Sequence, residues 1–373
     1  METCMLSKDG LITLRNICRN NNKTDNENIT SFINYLLKMG FVIKGNPEDN
    51  GDIYLIDQLI EKSQTIVSPL RSLSVPESIH IYVSNICYQY CHGCYYRYSS
   101  ENPKHFMEMS LLNKIVCDAK EANVFQIALG GGEPLLHPEI LNIVKKVISA
   151  GIICTMTTNG NKLSLEMAFA LKEAGLSKMQ VSLNGDNESV NMITRPNFHQ
   201  AVQAIINARK AGLKVGINYV LNKTNIRRYP LLLDKAEEWG CNSFNLLRPK
   251  EAYDDPEWLY QESPDFEDYI WLQRHLKNSS KNYRTKVKFD DALCFLMTNQ
   301  SPDELYNNGV WGCVAGRRFL NIDPFGSIYA CSHVRESDIG NGDFLLAWKR
   351  SKILERFRTL DDKIEGKCAT CDF

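Results

Sequence analysis

Between Ile79 and Pro249 the chain alternates short apolar runs with longer amphipathic stretches. The apolar runs are Ile79–Val83, Val124–Leu129, Ile152–Thr157, Met179–Leu183, Val215–Val220 and Ser243–Leu247. Each has the length of a buried strand, and most carry Val, Ile or Thr. The stretches between them, near 110–122, 138–150, 164–174, 198–211 and 226–239, carry helical periodicity. Repeated strand–helix units of this size predict a parallel sheet with helices outside it. Six units are too few for a complete eight-stranded barrel. The expected fold is therefore α/β, a partial (β/α)6 TIM-like barrel spanning residues 79–250 and open on one side.

The flanks read differently. Ile29, Phe32, Ile33, Leu36 and Leu37 repeat at helical spacing, and Gly40 follows as a stop. Phe41-Val42-Ile43 and Ile53-Tyr54-Leu55-Ile56 then flank a turn-rich stretch from Asn46 to Gly51, as a hairpin would. Residues 1–57 thus read as a winged-helix-like unit, with 58–78 as a linker. Residues 251–310 form an aromatic-rich connection. Residues 311–373 form a cysteine-bearing segment with a predicted β-hairpin, Arg318–Ile322 and Ile328–Ala330, turning at Asp323-Pro324-Phe325-Gly326.

Charge narrows the range of partners. Lys plus Arg is 43 against 44 for Asp plus Glu, a formal net charge of −1. Such a balance gives no general attraction to nucleic acid or an anionic membrane. No run of roughly 18 apolar residues would cross a bilayer, and Met1–Gly10 lacks the apolar core of a secretory signal. The sequence reads as cytoplasmic. In that compartment 13 cysteines argue for metal ligands over disulfides.

Seven of the 13 fall into two groups. Cys87, Cys91 and Cys94 stand at C-x3-C-x2-C directly after the first predicted strand. Iron–sulfur clusters take thiolate ligands, usually four, so three on one short loop leave an iron open to a small molecule. A zinc site is the alternative, with His92 as fourth ligand. Gly130-Gly131-Gly132-Glu133-Pro134 closes the second strand, Thr157-Thr158-Asn159-Gly160 the third and Ser182-Leu183-Asn184-Gly185 the fourth; Thr194-Arg195-Pro196 lies beyond. These motifs collect at the C-terminal ends of successive strands, the rim where parallel βα folds assemble their sites.

The triplet and the motifs after it resemble the radical S-adenosylmethionine (SAM) enzymes. That resemblance implies a [4Fe–4S] cluster on Cys87, Cys91 and Cys94 whose open iron binds the amino and carboxylate groups of SAM. It implies cofactor contacts from Gly131, Gly132, Glu133 and Pro134 around the methionine amino group, and from Ser182, Asn184 and Arg195 around the ribose or carboxylate. Asn218 and Arg248 are weaker candidates. One departure stands out: the residue before the third cysteine is commonly aromatic in the family and here is Gly93, so Tyr95 and Tyr96, which follow immediately, are expected to take over packing against the adenine.

Cys313, Cys331, Cys368 and Cys371 form the second group. Four thiolates suit a fully ligated [4Fe–4S] cluster or a zinc ion equally. The segment is similar to the auxiliary-cluster extension called SPASM or, in its short form, twitch, which implies one auxiliary [4Fe–4S] cluster. Cys4, Cys18, Cys117, Cys154, Cys241 and Cys294 read as small buried hydrophobes, and His105 and His333 as structural or solvent-facing.

By this resemblance the reduced cluster cleaves SAM to methionine and a 5′-deoxyadenosyl radical, which abstracts a substrate hydrogen; an external donor such as flavodoxin or ferredoxin supplies the electron. Relatives with this extension often modify ribosomal peptides, and residues 1–57 resemble leader-peptide recognition domains, so a peptide or protein substrate is expected. Alternatives are dehydrogenation of a small alcohol and, in another class, a DNA-binding iron–sulfur regulator, against which the near-neutral charge argues.

Overall fold

The computed structural model describes residues 72–96, 103–252, 255–278, 282–296, 312–334, 336–360 and 365–366. The winged-helix-like unit, most of the linker, and Cys368 and Cys371 lie outside the described residues. The chain divides into two compact units, Met1–Pro69 and Leu70–Phe373; all the described residues belong to the second.

One nine-stranded sheet organises it. Six strands match the predicted runs: β1 (Ser78–Ser84), β2 (Gln126–Gly131), β3 (Ile153–Thr158), β4 (Lys178–Ser182), β5 (Val215–Val220) and β6 (Ser243–Leu247). They lie side by side in chain order, every pairing parallel. Between them run α1 (Met109–Glu121), α2 (Ile140–Ser149), α3 (Leu165–Glu173), α4 (Glu188–Met192), α5 (Phe198–Lys210) and α6 (Tyr229–Glu238). Their apolar stripes meet the sheet: α2 buries Ile140, Ile143, Val144 and Val147, the i, i+3, i+4, i+7 face of one helix. Ser164 caps α3, its hydroxyl accepting from the Met167 amide at 3.1 Å.

Alternation along the strands separates core from site. Ile79, Ile81 and Val83 of β1, Ile127 and Leu129 of β2, and Val215, Ile217 and Tyr219 of β5 join the core beneath the helices. Their neighbours His80, Tyr82, Ala128, Gly130, Asn218 and Val220 line a cavity on the opposite face. A two-residue period places successive side chains on opposite faces, so one strand serves both.

The sheet extends past the expected six strands at both edges. After α7 (Trp258–Glu262) and α8 (Phe266–Asn278), β7 (Lys286–Phe289) adds parallel to β6. At the other edge β8 (Phe319–Ile322) pairs parallel with β1, and β9 (Ile328–Tyr329) returns antiparallel to β8. The predicted C-terminal hairpin exists, but as part of the barrel sheet. Arg318, at the start of β8, donates from Nε and Nη2 to Glu77 Oε2 at 2.8 and 2.6 Å. Trp348, fully buried on α9 (Phe344–Arg350), donates to the Leu73 carbonyl at 2.8 Å. α10 (Lys352–Arg358) follows. Among the described residues no helix is long and apolar enough to cross a membrane.

Candidate active site

The cysteine loop leaves β1 at Ser84 and is bound to the β2 loop backbone to backbone. The Gly132 amide donates to the Ser84 carbonyl and the Glu133 amide to the Ile86 carbonyl, both at 2.8 Å. A Cβ on Gly131 would lie 2.2 Å from the Ser84 carbonyl oxygen, and one on Gly132 2.3 Å from that of Ile86. These two glycines are required by the close approach of the loops, and Gly131 also takes a φ of +121°.

Glu133 is 2% exposed, with its carboxylate turned into the protein. Oε1 accepts from Thr158 Oγ1 at 2.6 Å and from the Leu135 amide at 3.1 Å; Oε2 accepts from the Asn159 amide at 2.7 Å. Burial pushes its pKa up, against the pull of these donors. Its visible work is to lock the β2 loop onto the end of β3. Asn184 is similarly engaged. Its Nδ2 donates to Thr194 Oγ1 at 2.9 Å and its Oδ1 accepts from the Val220 amide at 3.0 Å, bracing β4 against β5 and the Arg195 loop. Pro134 begins a short 3-10 turn and is buried. Ser182 and Arg195 line the cavity.

Gly93 has a φ of +73°, and a Cβ there would sit 2.1 Å from Cε2 of Trp258. The aromatic ring beside the third cysteine therefore comes from α7. Trp258 is 2% exposed, lies edge-on to His92 with centroids 4.7 Å apart, and has no protein partner for Nε1. Tyr95 and Tyr96 both line the cavity. Tyr96 packs edge-on against Tyr82 at 4.1 Å, and Tyr95 tilts over His333 at 4.5 Å. His92 is drawn off by Asp255, Nε2 to Oδ2 at 3.1 Å, which argues against it as a zinc ligand.

All three cysteines line the cavity. Burial pushes the Cys87 thiol up to about 11, and nearby Glu133, Cys91 and Cys94 add to the shift. It thus keeps its proton until a metal displaces it. Polar hydrogens point at the sulfurs: Gln89 Nε2 lies 3.2 Å from Cys91 Sγ, Arg195 Nη1 3.6 Å from the same sulfur, and Asn159 Nδ2 3.7 Å from Cys87 Sγ. Arg195 Nε is buried without a protein partner. Donors and a cation gathered around thiols suit an anionic, thiolate-held group. Among the described residues no three His, Cys, Asp or Glu side chains converge as a single ion needs, whereas a four-iron cube holds its thiolates further apart. The site fits a cluster on Cys87, Cys91 and Cys94, with SAM beside it.

The cavity has a volume of about 830 Å³. It runs from the cysteine loop past Ser182, Asn218, Arg248 and Lys250 to Ser332 and His333, next to Cys331. Burial pushes His80 down to about 4, so it is neutral at pH 7. The cavity's positive charge resides on Lys104, Arg195, Arg248 and Lys250, the last paired with Asp290 at 2.9 Å. The Cys331 sulfur lies 3.2 Å from His333 Nδ1. Sequence reasoning missed Gln89, Asn197, Asp290 and Trp258. Gln89 sits inside the cysteine motif, where its place was the available signal; nothing in the sequence links Trp258 to a loop so far before it in the chain.

Residues 81–233 match the family described as the radical SAM superfamily. Among curated proteins, the AdoMet-dependent heme synthase of Methanosarcina barkeri is 24% identical over 293 residues, 74% of this chain and 80% of that protein. The mycofactocin maturase MftC of Mycolicibacterium smegmatis is 25% identical over 315 residues, 81% of this chain and 76% of that protein. Among solved structures, Streptococcus suis SuiB bound to its precursor peptide SuiA superposes with a TM-score of 0.72 at 18% identity, covering 100% of this chain and 88% of that one. At that identity the likeness establishes the fold. Fold, cysteine loop and family match agree: residues 81–233 are a radical SAM domain, and the chain is an enzyme that works with a [4Fe–4S] cluster and SAM.

Proposed function

We propose that this enzyme modifies a ribosomally made peptide, using the 5′-deoxyadenosyl radical to abstract a hydrogen on the way to a crosslink, an epimer or an oxidised residue. The observation that carries this reading is the cavity that joins the cysteine triplet to Ser332 and His333 beside Cys331. Its volume lies within the roughly 300–1,000 Å³ of small-molecule sites, and its open mouth admits a side chain still attached to its peptide. MftC is named a maturase and SuiB was crystallised with a precursor peptide, which supports a peptide over a small alcohol.

When bound, the cluster and SAM supply the radical. The chain's residues prepare the place. Cys87, Cys91 and Cys94 hold the cluster. Arg195, whose Nε has no protein partner among the described residues, faces the cofactor carboxylate, and the Gly131-Gly132 backbone and Ser182 line the remaining wall. Arg248 and Lys250 face the substrate. Cys313 and Cys331, with Cys368 and Cys371, hold one auxiliary [4Fe–4S] cluster, and residues 1–57 bind the peptide's leader. A one-electron donor of the flavodoxin or ferredoxin kind, in a reducing cytoplasm, completes the set.

The test uses anaerobically reconstituted protein with SAM, dithionite and a candidate precursor peptide. We expect 5′-deoxyadenosine and a mass change in the peptide, both absent with Cys91→Ala. Cleavage of SAM with every peptide unchanged, together with oxidation of a small alcohol, would overturn the peptide reading and keep the radical chemistry.

A further inference from the structure

Four amide side chains form a connected belt around the cysteine loop. Gln89 Oε1 accepts from Asn161 Nδ2 at 3.0 Å, and Gln89 Nε2 donates to Asn197 Oδ1 at 2.9 Å. Asn197, 3% exposed, donates from Nδ2 to the Asn159 carbonyl at 2.6 Å and to Asn161 Oδ1 at 3.2 Å. Asn159 Oδ1 accepts from the Asn161 amide at 2.9 Å. The consequence is orientation. With Gln89 Oε1 held by Asn161, Nε2 is the end left facing Cys91 Sγ, at 3.2 Å. With Asn159 Oδ1 closing its own turn, Nδ2 faces Cys87 Sγ, at 3.7 Å. The belt ties residues from the cysteine loop, the β3 loop and the start of α5, so the donors are fixed by the fold.

We propose that Gln89 and Asn159, assisted by Arg195, set the reduction potential of the cluster held by Cys87, Cys91 and Cys94. A bound thiolate becomes more negative when its cluster gains an electron. An N–H aimed at its sulfur therefore stabilises the reduced form more than the oxidised one, and raises the potential. The step is a one-electron reduction by the external donor; the amides keep their protons. The donors thereby bring the cluster within reach of a donor that otherwise reduces it poorly.

This inference rests on the cluster assignment, and its test separates the two. Gln89→Glu and Asn159→Asp are nearly isosteric, retain the acceptor oxygen and remove the donor. Both are compared with wild type by iron content and by redox titration of the cluster's electron paramagnetic resonance signal, identified as the one Cys91→Ala abolishes. We expect full iron and a lower midpoint in each variant: about tenfold less reduced cluster at fixed donor potential, or about 59 mV for one electron. An unchanged midpoint with full iron overturns the proposal and leaves the cluster assignment standing. Loss of iron from both variants, with wild-type circular dichroism, also overturns it, because the belt then serves retention. Absence of any signal in wild type that depends on Cys91 sinks the assignment itself.

Discussion

At the residue scale, Gly93 shows how a departure from a family pattern is made good elsewhere in the chain. Trp258 fills the space a side chain at position 93 would need, its Cε2 2.1 Å from the place of a Cβ. Gly93→Ala would meet a buried indole and also force alanine to a φ of +73°, which alone costs about 1–3 kcal/mol. The cysteine loop should give way before the indole, which is held by its helix. We expect the variant to retain the auxiliary iron and lose about half the total, given one four-iron cluster at each site. Trp258→Gly in the same chain should restore part of it. Iron and sulfide assays with 5′-deoxyadenosine production check this; full iron in Gly93→Ala alone would show that the loop tolerates the shift.

At the element scale, one carboxylate anchors the approach to β7. Glu237, near the end of α6, accepts from the Thr285 hydroxyl and amide at 2.7 and 2.8 Å and from Arg284 Nε at 2.9 Å. The Thr285 hydroxyl, then its amide, then Arg284 pull its pKa down to about 2 from an ordinary 4.5. A carboxyl depressed by folding stabilises the folded state above its unfolded pKa and loses that contribution as pH falls through the folded value. Glu237→Gln should therefore melt below wild type at pH 7, with the gap closing between about pH 4.5 and pH 2. Thermal melts across that range check it; a constant gap would mean that shape, not charge, docks β7. Such contacts explain what is legible in sequence. The six strands β1–β6 announce themselves because each lies in a short apolar-rich run between helical stretches. Lys286–Phe289 alternates charge with apolar residues and reads as connection; the Glu237 carboxylate that anchors the residues before it comes from another element. Likewise the cysteines, glycines and Arg195 are visible as motifs. The inward turn of Glu133 and the bracing role of Asn184 are not, because they depend on partners such as Thr158 and Val220 that only the fold brings near.

At the scale of the whole unit, the C-terminal segment serves two purposes that a sequence reading separates into domains. It carries Cys313 and Cys331, and through β8 it covers the open edge of β1, the strand from which the cysteine loop springs. Arg318 on Glu77 and Trp348 on the Leu73 carbonyl fasten the same junction. Without β8, the β1 edge would expose unpaired amides and carbonyls and lose the apolar cover of Leu320 and Ile322, both fully buried. The two roles can be told apart. Cys331→Ala removes a thiol and leaves the strand, so it should reduce iron by about half while SAM cleavage at the triplet persists. A chain ending at residue 310 removes both, and should lose the triplet's iron as well, with a lower melting temperature and a tendency to aggregate through the bared edge. If the shortened chain instead keeps the triplet cluster and cleaves SAM as well as Cys331→Ala does, β8 contributes nothing to the first site, and the segment is a separable domain after all.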